Sequence, residues 1–156
     1  MSHGIIFVVG KNPDKEFFPY IANLDAVGNN GLTEEQCYEG AVCDGAVYYS
    51  CLPNMKTKNY TNKCKLKEID MGFMTLLLSN PSSGIPKAPV PKKKTEHDFP
   101  HINLEGILYN GKWTYFGGEL FGSKCKFGYE YIPDRAIRFL ISLPQNLKIG
   151  AYDCHF

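Results

Sequence analysis

Apolar positions along the chain fall into two kinds of run. Ile5 to Val9, Phe73 to Leu78 and Ile137 to Ile141 are nearly continuous. Short runs without polar alternation predict strands buried on both faces. Elsewhere the pattern alternates. Residues 39–49 read EGAVCDGAVYY, and residues 105–115 read EGILYNGKWTY. Asp44-Gly45 and Asn110-Gly111 supply the positive φ angles of a type I′ turn, so each stretch predicts a hairpin with a two-residue loop. That register sets Val42 opposite Val47 and Leu108 opposite Trp113, with Tyr49 and Tyr115 on the same core-facing side. The outer face then carries Cys43 and Tyr48 in one hairpin, and Tyr109, Lys112 and Thr114 in the other. Lys63-Cys64-Lys65 and Lys124-Cys125-Lys126 predict strands with lysines out and cysteine in. Thr33 to Gln36 fits a capping box, which predicts a short helical turn before Cys37.

The two hairpins belong to a longer match. Gly4 onward (GIIFVVGKNP) parallels Gly72 onward (GFMTLLLSNP), residues 62–66 (NKCKL) parallel 123–127 (SKCKF), and 136–144 (AIRFLISLP) parallel 73–81 (FMTLLLSNP). Matches in one order predict an internal duplication. Unit one spans about residues 37–81, unit two about 103–144, and an extra strand at 4–9 precedes them. The expected fold is one domain over residues 1–156: mainly β, internally duplicated, a pseudo-twofold β-sandwich or barrel with long connecting loops.

Composition narrows the class. A chain of 156 residues with 44% apolar and 21% charged residues can bury a core of its own. A net charge of +1 excludes a global pull toward nucleic acid or anionic membrane. No apolar run approaches the roughly 20 residues of a membrane span. No segment resembles a signal peptide, which predicts a cytoplasmic chain. The cysteines at 37, 43, 51, 64, 125 and 154 leave a secreted or surface location open. Only there would the Asn59-Tyr60-Thr61 sequon matter. Cys64 and Cys125 are expected as small buried hydrophobes, and spacing sets no connectivity.

Candidate chemistry is sparse. GIIFVVGKN (4–12) fails as a phosphate loop, because an apolar strand fills the place of a Gly-rich backbone. His97, Asp98 and His101 (with Glu96) are ligand types that could hold a divalent ion, though Pro100 keeps the histidines off one helical face. Cys154-His155 cannot form a local dyad, since neighbours on an extended chain point apart. Residues 14–38 carry five acids against Lys15, net −4, whereas residues 82–104 carry Lys87, Lys92, Lys93 and Lys94 against Glu96 and Asp98, net +2. Loops of opposite sign suit head-to-tail association, and the lysines form a candidate partner-binding loop.

In tandem, Gly40-Ala41-Val42, Asp44-Gly45 and Val47-Tyr48-Tyr49, then Gly106, Asn110-Gly111 and Trp113-Thr114-Tyr115, resemble the tandem-repeat mannose-binding lectins of invertebrates, related to the amino-terminal domain of natterin-like proteins. The match covers about 100 residues. It departs after the tyrosine strands, where Ser50-Cys51 and Phe116-Gly117 replace an expected Arg-containing continuation, and the family's Pro-Gly-Lys turn has no counterpart. The resemblance implies glycan binding. The residues themselves allow it, because sugar sites need fixed polar groups and an aromatic near a rigid turn. Asp44, Asn110, Tyr109 and Lys112 are the candidates, while Trp113 is expected in the core. The function expected is therefore a non-enzymatic binding module for a protein partner or glycan, with no cofactor. The alternatives are a structural subunit of a larger assembly, through a protein partner or homo-oligomer, and a small metal-dependent enzyme.

Overall fold

The computed structural model describes residues 3–21, 43, 45–78, 102, 104–116 and 132–155. The chain is mainly β, built on one mixed sheet. Its strands are β1 (His3–Gly10), β2 (Gly45–Tyr48), β5 (Lys63–Lys65), β6 (Leu104–Tyr109), β7 (Lys112–Tyr115) and β8 (Lys148–His155). A second, two-stranded sheet pairs β3 (Leu52–Asn54) with β4 (Asn59–Thr61). The main order is β2-β8-β1-β6-β7, with β5 also on β8. β1 runs parallel to β6 and antiparallel to β8. The sheet stays open, so the described strands close no barrel.

β1 is the strand its apolar run predicts. Ile5, Phe7 and Val9 enter a larger core on one face, and Ile6 and Val8 a smaller core on the other. The larger core lies under α2 (Met71–Leu78) and α3 (Ile132–Ser142), the smaller under α1 (Pro13–Phe17). β8 was not marked by any continuous apolar run, yet it is central. Ile149 and Ala151 face the larger core, and Tyr152 and Cys154 the smaller. Among the described residues no helix is long and apolar enough to cross a membrane.

Two expected strands are helices. Residues 73–78 belong to α2, and residues 137–141 to α3. The reason is local. Apart from Thr75, the α2 residues lack the β-branching that favours strands, and Met and Leu are good helix formers. Asp70 accepts the Phe73 amide at 3.0 Å and so caps α2. α2 buries Phe73, Met74, Leu77 and Leu78 on one face, at helical spacing. In α3, Asp134 pairs with Arg138 one turn on, and Ala136 and Leu140 are buried.

The matched segments agree only in part: residues 73–78 and 137–141 are both helical, but other pairs differ. Residues 4–9 form a strand, while their counterpart, 72–78, forms a helix. Residues 105–115 form the predicted hairpin, with Leu108 opposite Trp113. In their counterpart, residues 45–48 pair with β8 and Val47, expected in the core, is 66% exposed, while residues 39–42 of the expected hairpin lie outside the described residues. β8 offers β2 an edge that was invisible in the hairpin pattern. Tyr49 does pack against the larger core, and Cys64 lies half-buried in β5. The capping box, the Lys124-Cys125-Lys126 strand and Val42 lie outside the described residues.

Candidate functional site

The most organised polar cluster gathers around Asp14. Asn12 caps α1, its side chain accepting the Lys15 amide at 3.3 Å, and Pro13 opens the helix. This places Asp14 in the first turn, over the β8 end of the smaller-core face. β8 has an interrupted neighbour. β2 runs along it as far as Tyr48, opposite Tyr152, and β5 resumes with Lys63, opposite Gly150. The intervening chain leaves as the β3–β4 ribbon. That break sets Tyr48 and Lys63 side by side on the face beneath Asp14.

Three donors converge on the carboxylate. Tyr152 donates to Oδ1 at 2.6 Å, and Tyr48 and Lys63 donate to Oδ2 at 2.7 and 3.0 Å. The two tyrosine rings lie 5.7 Å apart, and the Lys63 ammonium sits 5.7 Å from the Tyr48 ring centre. Gly150 makes room: a Cβ there would lie 2.8 Å from the Tyr152 hydroxyl and 3.1 Å from Pro13.

The electrostatics define what this cluster can do. Burial would raise the Asp14 carboxyl, but the hydrogen bonds from Tyr152, Tyr48 and Lys63, with the Lys63 charge, outweigh it and hold it below its ordinary value. Burial first, then the hydrogen bond to Asp14, pushes the Tyr152 phenol far up. The hydrogen bond to Asp14 raises Tyr48. At neutral pH the group is thus an anion clasped by protonated donors. Such tyrosines are poor bases, and the carboxylate is a weak one. The clasp fixes the geometry of Tyr48, which stays 53% exposed.

The expected site residues are scattered. Asn110 and Gly111 take φ of 52° and 75°, so the Asn-Gly turn forms as predicted, with Asn110 and Lys112 exposed beside it. Tyr109 corrects the outer-face expectation. It is half-buried against the larger core, edge-on to Phe139 at 6.5 Å, because helices cover that face too. Trp113 packs on the smaller core beside Phe17 and Tyr20, at 6.4 and 5.3 Å. Asp44, Lys87, Lys92, Lys93, Lys94, His97, Asp98 and His101 lie outside the described residues. Among the described residues no three His, Cys, Asp or Glu cluster as metal ligands. Asn12-Pro13-Asp14 is a helix-start signature that could have marked the first member of the clasp; nothing local marks its convergence with Tyr152.

Comparison with protein-family models, curated proteins and solved structures returns no match, so the site is read from its chemistry.

Proposed function

We propose that the protein is a non-enzymatic binding module whose partner is a protein strand laid along the outer edge of β2. The observation that carries this reading is the exposure of Val47 and Tyr48, 66% and 53%, on opposite faces of a strand that ends the sheet among the described residues. A small ligand takes one face of a sheet, whereas an added strand covers the edge and both flanks. β2 reads GAVY, without the charges or proline that discourage such addition. The Asp14 clasp holds Tyr48 in place beforehand, which lowers the entropy lost on contact.

Magnitudes set the strength. Covering Val47 and Tyr48 contributes at most about 3–5 kcal/mol, against roughly 8 kcal/mol for a micromolar complex. Edge hydrogen bonds add about 1 kcal/mol each. The association is weak unless neighbouring surface joins in. A glycan reading draws on Asn110 and Lys112, exposed at a rigid turn, and Tyr109, the aromatic expected beside them, is packed inward.

Tyr49 donates its amide to Ala151 at 3.0 Å, so alternation turns the Ala46 and Tyr48 amides outward. Ala46→Pro therefore removes an outward donor while sparing the pairing with β8. Sedimentation of the full chain and a screen of extended peptides test the proposal. The expected result is binding to a peptide or a second copy that falls at least tenfold (about 1.4 kcal/mol) in Val47→Lys and in Ala46→Pro. No strand-like binding, binding indifferent to both changes, or a glycan-array signal lost in Asn110→Ala and Lys112→Ala would overturn it.

A further inference from the structure

We propose that Cys43 and Cys154 are a disulfide-forming pair that ties the segment leading into β2 to the central strand β8 when the chain meets a low-molecular-weight disulfide. This modification site is independent of the binding reading. Both side chains lie in the smaller core, Cys43 5% exposed and Cys154 fully buried. In that shared core the Cys43 side chain is the largest influence raising the Cys154 thiol, through a side-chain hydrogen bond. Two separate backbone pairings hold them there. Cys154 sits opposite Ala46, three residues beyond Cys43, and Cys43 is bridged to Ile21 at the end of the segment that follows α1. Cys51 and Cys64 belong to the larger core across the sheet, so they do not compete for either partner in the folded chain.

The chemistry balances with oxidised glutathione as oxidant. One cysteine thiolate attacks a glutathione sulfur, breaks its S–S bond and releases one glutathione thiolate. The second cysteine thiolate then attacks the mixed disulfide at the protein sulfur, forms the Cys43–Cys154 bond and releases the second glutathione. The protein loses two protons and two electrons, and the oxidant becomes two glutathione molecules. Only thiolates react, and contact with Cys43 together with burial keeps the Cys154 thiol protonated. Exchange is therefore slow and follows transient opening of β2 from β8. The pair is a structural tie, not a rapid sensor.

The purified full chain is incubated at length with oxidised glutathione or with dithiothreitol, then digested and mapped by mass spectrometry without reduction. A cross-linked peptide pair containing Cys43 and Cys154 is expected after oxidation, two hydrogens lighter than its reduced parts. The melting temperature should rise by roughly 5–15 °C, the range for a tie across a long loop in a chain of this size. Both signals should vanish in Cys43→Ala and in Cys154→Ala, and persist in Cys51→Ala and Cys64→Ala. Two free thiols after prolonged oxidation, separate glutathione adducts, or either residue joined to a different cysteine would overturn the proposal. The wild-type peptide map decides alone should an alanine variant fail to fold.

Discussion

Residues 39–49 and 105–115 share a pattern of glycines, apolar positions and a turn dipeptide, yet their described parts fold differently. In the second stretch Asn110 and Gly111 adopt positive φ, the chain reverses, and β7 pairs back onto β6. In the first, Gly45 begins a strand that pairs with β8, a segment more than 100 residues away. Equivalent positions meet opposite fates. Trp113 packs against Phe17 and Tyr20, while Val47 is 66% exposed. A turn dipeptide permits reversal; it does not choose the strand's partner. That choice depends on which sheet edge lies within reach, and β8 presents one to β2.

Substitutions in the two stretches test this contrast, beginning with the largest effect. Leu108→Ala should destabilise the fold by about 2–5 kcal/mol, since Leu108 is buried where β6 crosses the smaller core. Val47→Ala, an apolar site of the same pattern, should stay within about 0.5 kcal/mol. Urea denaturation of both variants checks this, and equal losses would erase the distinction.

The two turn glycines should differ in sign. Gly111→Ala forces a side chain onto a φ of 75° and should cost about 1–2 kcal/mol. Gly45 has space around its would-be Cβ and no such backbone demand. Gly45→Ala should be neutral or stabilise by up to about 1 kcal/mol, by stiffening the unfolded chain. Thermal melts of the pair decide it; a loss in Gly45→Ala matching that in Gly111→Ala would mean the first turn resembles the second after all.

The smallest effect concerns the clasp that β2, unlike β7, helps to build. Tyr152→Phe removes one donor to Asp14 and should cost about 1 kcal/mol or less, because Asp14 and Lys63 remain partly exposed to screening solvent. The folded Asp14 carboxyl lies below its ordinary value of 3.8. Its contribution is therefore complete above that value and is lost as pH falls through the folded one. Stability curves of wild type and variant should draw together at acid pH, and NMR titration should show the Asp14 carboxyl rising in the variant. An unmoved titration would exclude Tyr152 as a contributor.

Local signals were legible where one element settles its own form. β1 reads as a strand from Ile5 to Val9, Asn110-Gly111 reads as a turn, and Lys63 to Lys65 reads as a strand. The two helices read as strands because a short apolar run suits a buried strand and a buried helix alike. Asp70 before α2 and Asp134 with Arg138 in α3 were the local clues. Of the expected site residues, Asn110 and Lys112 emerged at an exposed turn, while Tyr109 became core because a helix covers the second face. Tyr48 and Lys63 were visible as outward residues, but not as neighbours.

By itself, then, the sequence determined the β-rich character, the Asn-Gly reversal and the buried strand β1, since each follows from the conformational preferences of a few adjacent residues. Tertiary structure alone decided that β8 is central, that β2 pairs with β8, and that Asp14, Tyr48, Lys63 and Tyr152 meet. The reason is physical. Strand pairing uses backbone groups that every residue carries, so partner choice is written in the burial of the whole sheet, and convergent side chains from distant segments leave no local trace.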